Sequence, residues 1–269
     1  MKRVNARAVG RFLLHLVFYV IVAFLLVPVA LTVVGSFARA WQRSLFFSGY
    51  TLDWYRYVWE NYSHTIALSL KVATLSVLIT TLAGVPASYF IARSHTRLME
   101  AFEEILVMPM AIPGLALAFA LIQTHYFWRE KWFFILLGHV VFTLPFLVRT
   151  VVATLRGLDL KLLEECAASL GATWLQRFLY IVLPNVRNGI IAGALMVFTV
   201  SLGEFNLTFF LYTPINMTLP VGLYESYASL RLEIGSAYTT IFLVIIIPVL
   251  LLIQYLGGDI GLQKEAGKV

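Results

Sequence analysis

Six apolar runs, at residues 12–34, 67–91, 105–124, 132–148, 190–212 and 239–257, recur along a chain of 269 residues. Each is close to the roughly 20 residues that carry a helix across a bilayer. The chain is 60% hydrophobic and 13% charged, whereas soluble domains are about half apolar. The expected fold class is therefore all-α integral membrane, with six transmembrane helices in a single domain over 1–269. The first run follows Lys2, Arg3, Arg7 and Arg11 and precedes Ala38-Arg39-Ala40, an arrangement that mimics a secretory signal. Its apolar stretch exceeds the roughly 7–15 residues of a signal core, so it reads as an uncleaved span.

Six spans place both ends of the chain on one side. Lys2, Arg3, Arg7, Arg11, Arg93, Arg97, Arg149, Arg156, Lys161, Arg177, Arg187, Lys264 and Lys268 fall on that side, against Arg39, Arg43, Arg56, Arg129, Lys131 and Arg231 on the other. Positive charge is retained in the cytoplasm, so both termini are expected there. Trp41, Trp54, Trp59, Trp128 and Trp132 then mark the outer interface with Tyr50, Tyr55, Tyr57 and Tyr62, and a short surface helix is expected near 51–62. The formal net charge of +6 is spread over the loops, unlike the one-faced basic patch of a nucleic-acid binder. One cysteine excludes an internal disulfide and offers no metal pattern.

Proline and buried charge single out residues inside the runs. Pro28, Pro86, Pro109, Pro113, Pro145 and Pro248 fall within five of them; each removes a backbone bond and is expected to kink its helix. Pro109 and Pro113, with Gly114, should make the third span the most broken. Lys71 and Glu204 are the charges well inside the runs, where ionisable groups are costly and mark function by default. Lys71 lies near an outer end and can snorkel to the interface. Glu204, with Asn206 close by, is expected either in a translocation pathway or in an interhelical hydrogen bond that shapes one. His139 is expected to be hydrogen-bonded within the bundle.

The loop 155–186, between the fourth and fifth runs, carries the densest signal. Asp159 offers an N-cap for a helix starting at Leu160. Leu162, Leu163, Cys166, Ala167 and Leu170 recur at helical spacing as one apolar face, flanked by Lys161, Glu164 and Glu165. Gly171 and Ala172 follow; glycine tolerates a left-handed terminus, so a hinge is expected there. Thr173 and Gln176 match a capping box for a second short helix, which Pro184 should stop.

This pattern, Glu165-Cys166-Ala167, three residues, Gly171, nine residues, Ile181, one residue, Leu183-Pro184, resembles the EAA loop of ABC-importer permeases. Cys166 stands where the family usually has alanine; it is small and weakly apolar, so it still suits a packed surface. An ordinary interfacial helix resting on lipid headgroups is the alternative. Three further stretches resemble the same family: Gly84-Val85-Pro86-Ala87 to Arg93, Met108-Pro109 to Pro113-Gly114, and Ser201-Leu202-Gly203-Glu204-Phe205. The last is similar to span five of the branch that includes polyamine, phosphonate, ferric-iron, sulfate and molybdate permeases.

The resemblance implies a type I ABC importer permease in a bacterial inner membrane, forming half of a translocation pathway. It implies a second permease (similar or identical), two cytoplasmic ATPase subunits and an external solute-binding protein. ATPase coupling would fall to Leu163, Glu164, Glu165, Cys166, Ala167, Leu170, Gly171, Ala172 and Pro184, and the pathway to Glu204, Asn206, Pro109 and Pro113. The substrate expected is a polyamine or an aminoalkylphosphonate-like solute, with an inorganic ion (ferric iron, sulfate or molybdate) as the alternative. No catalytic or metal site and no cofactor are expected in this chain; ATP and Mg²⁺ belong to the partner. A phosphate loop is missing, since the nearest glycine-rich stretch, 261–269, has the wrong spacing. The other classes are a channel subunit, which needs no cytoplasmic docking helix, and an intramembrane transferase, which needs a catalytic cluster that the runs do not carry.

Overall fold

The computed structural model describes residues 2–41, 49–94 and 96–266. Arg43, Lys268 and the end of the 261–269 stretch lie outside the described residues, as do the side chains of Lys2, Arg3, Arg7 and Lys264. The chain is helical: α1 (Lys2–Gly35), α2 (Asp53–Arg93), α3 (Arg97–Val107), α4 (Gly114–His125), α5 (Trp132–Arg156), α6 (Leu160–Ser169), α7 (Trp174–Arg177), α8 (Leu183–Gly203), α9 (Asn206–Leu211), α10 (Leu219–Ala228) and α11 (Leu232–Ala266). Five stretches are long and apolar enough to cross a membrane, and a sixth span forms if α3 and α4, bent by 100°, count as one.

Two compact units divide the chain, Met1–Tyr62 with Leu223–Leu243 and Ser63–Gly222 with Val244–Val269. In the first, α1 leaves its apolar surface open: none of the apolar window in Gly10–Gly35 is buried. Trp54 Nε1 donates to the Ala38 carbonyl at 2.9 Å, Ser36 and Tyr55 hydroxyls bond at 2.6 Å, and the Tyr62 ring meets Tyr238. Leu230, at the turn into α11, has φ +56°, a left-handed conformation that costs a residue with a side chain about 1–2 kcal/mol.

In the second unit α5 is the central helix, burying Phe134, His139, Leu147, Val151 and Leu155 among others. Its neighbours approach closely because a glycine stands on one helix or the other where they cross. A Cβ at Gly189 of α8 would overlap the Thr154 side chain, and one at Gly138 of α5 would stand 2.7 Å from Leu207 Cδ2. In lipid this close packing, rather than the exclusion of water, holds helices together.

Three expectations are corrected. The separate surface helix at 51–62 is instead the opening of α2, which runs unbroken for 41 residues, or about 62 Å at 1.5 Å per residue. Pro184 does not stop the second loop helix. It sits in the first turn of α8, where its missing N–H is not needed, and one π turn, Phe178–Val182, joins α7 to α8. There Leu183 N–H reaches back to the Phe178 carbonyl, the five-residue step of a π turn, and the whole of Trp174–Gly203 counts as one span. The fifth run, expected to be continuous over 190–212, breaks after Gly203, where Glu204 is extended (φ −70°, ψ 117°). The third span is broken as expected, by a 3₁₀ turn at Met108–Met110 and an extended Pro113.

Candidate functional site: a hinged loop and two facing helix breaks

Local capping builds the loop. Asp159 Oδ1 accepts from Leu162 N–H at 3.3 Å and starts α6. Gly171 ends it at φ +84°. There Gly171 N–H reaches the Ala168 carbonyl at 2.9 Å and Ala172 N–H the Ala167 carbonyl at 3.1 Å, the paired bonds of a Schellman terminus. Two residues on, Thr173 N–H donates to Gln176 Oε1 at 2.8 Å, while Gln176 N–H turns back to Thr173 Oγ1, which completes the capping box. A helix, a left-handed hinge and a second helix start follow one another within 18 residues of sequence, 159–176.

The faces of α6 differ from the single apolar stripe expected. Leu160, Glu164 and Ala167 turn inward and are buried. Leu162, Leu163, Cys166 and Leu170 stay exposed, Leu170 by 90%. Glu165 also points outward, within 3.9 Å of Lys161 Nζ. Glu164, only 3% exposed, is clasped from behind: the Tyr89 hydroxyl donates to Oε1, and Arg93 Nε lies 3.2 Å from Oε2. The Tyr89 ring packs on Phe178, while Trp174 stacks between Phe178 and Phe90 at 5.8 and 6.2 Å. The end of α2 thus grips both α6 and α7. A second clamp joins α5 to α3, where the Arg156 guanidinium donates to both Glu103 oxygens at 2.6 and 3.3 Å. Tyr89, Arg93, Phe90 and Trp174 were not anticipated; the weak signal was Tyr89 and Arg93 one helical turn apart at the end of an apolar run.

The second constellation lies where two broken spans meet. Glu204 Oε1 accepts from Leu207 N–H at 2.9 Å and so opens α9. A Cβ placed on Gly114, which opens α4, would stand 3.2 Å from Leu207 N and 3.3 Å from Glu204 Oε1, so the two breaks face each other at close range. His139 spans the same gap from α5, with Nδ1 2.7 Å from Ser201 Oγ on α8 and Nε2 2.7 Å from Thr208 Oγ1 on α9. Both ring nitrogens are therefore engaged within the bundle. Glu204 is buried, whereas Asn206 and Pro113 are exposed and Pro109 is half-buried. Lys71 does not pair with Glu204; its Nζ sits 3.4 Å above the Trp132 ring.

Both constellations fall inside residues 84–260, the stretch matched by a family model described as "Binding-protein-dependent transport system inner membrane component". The chain belongs to this family of ABC-importer permeases. This permease is accordingly a multi-pass inner membrane protein, and ATP hydrolysis in its transporter is carried by a separate subunit. It is similar to the spermidine/putrescine transport system permease protein PotC of Escherichia coli strain K12, 28% identical over 265 residues that cover 93% of this chain and 96% of PotC. A probable molybdenum ABC transporter permease protein of Haloferax volcanii is 29% identical over 202 residues, 71% of this chain and 74% of that protein. A solved bacterial alginate ABC transporter, in complex with an alginate pentasaccharide-bound periplasmic protein, shares the fold with a TM-score of 0.70 at 17% identity, over 93% of this permease and 94% of that chain.

Proposed function

We propose that this permease encloses half of a solute pathway and that α6 is the part gripped by an ATPase subunit. A second permease, similar or identical, supplies the other half. One of two cytoplasmic ATPase subunits, bearing ATP and Mg²⁺, receives the outward face of α6, and an external solute-binding protein delivers the substrate. The observation that carries this reading is the split of α6: Leu162, Leu163, Cys166 and Leu170 are left uncovered, while Glu164 and Ala167 fasten the opposite face to the bundle. An exposed apolar strip backed by a fixed support is suited to receive force and pass it on. The bias of Lys and Arg supports placing the loop and both termini in the cytoplasm.

Movement of α6 reaches the pathway through α7 and the continuous Trp174–Gly203 helix, which ends at the Glu204 break. In this reading Glu204 acts through backbone positioning, by holding the start of α9, while the exposed Asn206 and Pro113 and the neighbouring Pro109 face the solute route. Gly171→Asp places a side chain at a left-handed residue, and Glu165→Arg reverses a charge on the exposed face. Either variant should insert normally yet lose uptake while ATP hydrolysis continues in the transporter reconstituted with its ATPase and binding protein. Normal uptake by both variants contradicts the coupling assignment.

The proposed substrate is an organic cation of the polyamine type. PotC supports this because the similarity extends through nearly the full length of both chains. Molybdate is the second reading, favoured by the Haloferax volcanii relative at 29% identity. Proteoliposomes given labelled spermidine or labelled molybdate separate the two: ATP-dependent uptake of spermidine alone is expected, and uptake of molybdate alone overturns the polyamine assignment.

A further inference from the structure

Beside α6 lies a cavity of about 390 Å³, lined in part by Arg93, Arg156, Lys161 and Arg177. Three carboxylates share its wall, Asp159, Glu164 and Glu165, and each is already engaged. Asp159 caps α6, Glu164 is held by Tyr89 and Arg93, and Glu165 lies beside Lys161. Arg156 is engaged by Glu103. Among the described residues, Arg177 is the one lining cation with no carboxylate within 4.0 Å, and its Nε is shut off from solvent with no acceptor.

Arg177 lines the cavity, and a buried guanidinium Nε–H without an acceptor is an unmet demand. Its flat fork matches the oxygens of a phosphate group better than a point charge would. Part of the wall is formed by the last residues of α2 and α5, Ala92, Arg93, Leu155 and Arg156, where two helices long and apolar enough to span a membrane end in charge. Basic pockets between spans at that level suit anionic headgroups.

We propose that this cavity binds a phosphate-bearing anion, with Arg177 as its principal donor and Lys161 and Arg156 as supporting charges. The group is either the headgroup of an acidic phospholipid or a free phosphate solute. Bound there it bridges α6 and α7 to the ends of α2 and α5, and so stiffens the support on which the exposed face of α6 rests. Binding does not depend on the coupling reading, because it is measured without transport.

The assembled transporter is placed in nanodiscs of phosphatidylcholine alone or of equimolar phosphatidylcholine and phosphatidylglycerol. Retained lipid is counted by native mass spectrometry, and the melting temperature is followed as inorganic phosphate is added in neutral detergent. Arg177→Gln removes the donor. Arg177→Lys keeps the charge but not the fork, and the largely exposed Lys161→Gln is a milder change that leaves the fold intact. Retention of phosphatidylglycerol about fivefold weaker for each cation removed, with phosphate without effect, identifies the lipid. A phosphate-dependent rise in melting temperature in wild type that Arg177→Gln abolishes identifies the solute. Equal retention and equal phosphate response in wild type, Arg177→Gln and Lys161→Gln overturn the proposal.

Discussion

Tyr89→Phe deletes one hydroxyl and leaves the aromatic packing on Phe178 in place, so it isolates the clasp behind α6. The bond lost is one between a hydroxyl and a buried carboxylate, Glu164 being 3% exposed. Hydrogen bonds to charged groups contribute about 1.5–3 kcal/mol. The remaining partner, Arg93, has its side chain 44% exposed; water screens that pair, which is worth about 1 kcal/mol or less. The hydroxyl should therefore matter more than the formal ion pair. Releasing α6 from the end of α2 becomes easier by about tenfold to a hundredfold in Tyr89→Phe, and by no more than about fivefold in Arg93→Gln. Glu164→Ala removes both contacts at once, so its cost should approach their sum, about 3 kcal/mol. Hydrogen–deuterium exchange of the amides in 163–170, measured on the transporter in nanodiscs, reads this local opening. The expected order of exchange rates is Glu164→Ala, then Tyr89→Phe, then Arg93→Gln, then wild type. Wild-type exchange in Tyr89→Phe would refute the clasp, and a larger effect from Arg93→Gln than from Tyr89→Phe would refute the argument from burial.

Two other positions probe the rest of the framework. Glu204→Ala leaves Leu207 N–H without its acceptor, which should cost about 1 kcal/mol as the loss of a helix cap; uptake should fall at unchanged protein level, whereas Glu204→Gln, which keeps an acceptor oxygen, should retain much of it. Equal uptake in wild type and Glu204→Ala would remove the break from the mechanism. Leu230→Gly relieves a left-handed residue whose side chain is 72% exposed, so the melting temperature should rise, by an amount equivalent to about 1 kcal/mol; a fall would show that the Leu230 side chain makes a contact worth more than the strain.

What the sequence revealed and what it concealed divide along the range of the interactions. The ends of α6 and the start of α7 were legible because Asp159, Gly171, Thr173 and Gln176 act on backbone groups within four residues of themselves. The fate of Glu164 was not, because a charged residue beside an apolar stripe reads as solvent-facing until a tyrosine 75 positions away is known to meet it. Burial at Leu160, Glu164 and Ala167 follows helical spacing all the same, and of the expected apolar face only Ala167 turns inward, while Leu162, Leu163, Cys166 and Leu170 stay exposed. The surface helix at 51–62 was inferred from aromatic residues, although no glycine or proline occurs between 53 and 82 to part it from the span that follows. Pro184 read as a stop because the loop helix was taken to end there, whereas a proline in a first turn does no harm. The break at Glu204 lay within an apolar run, where hydropathy counts residues and is blind to backbone direction; what forms it is the short α9 lodged against α4 and α5, with Leu207 and Leu211 buried beside Gly138.

The central claim, that the outward face of α6 is held by a cytoplasmic ATPase subunit, has a reporter in place. Cys166 is exposed on that face and is the single cysteine of the chain. Its modification by a membrane-impermeant maleimide should occur in inside-out vesicles and not in intact cells, and should slow sharply when the ATPase subunit is added. Labelling from the outside of intact cells, or a rate in inside-out vesicles indifferent to the ATPase, would contradict the account.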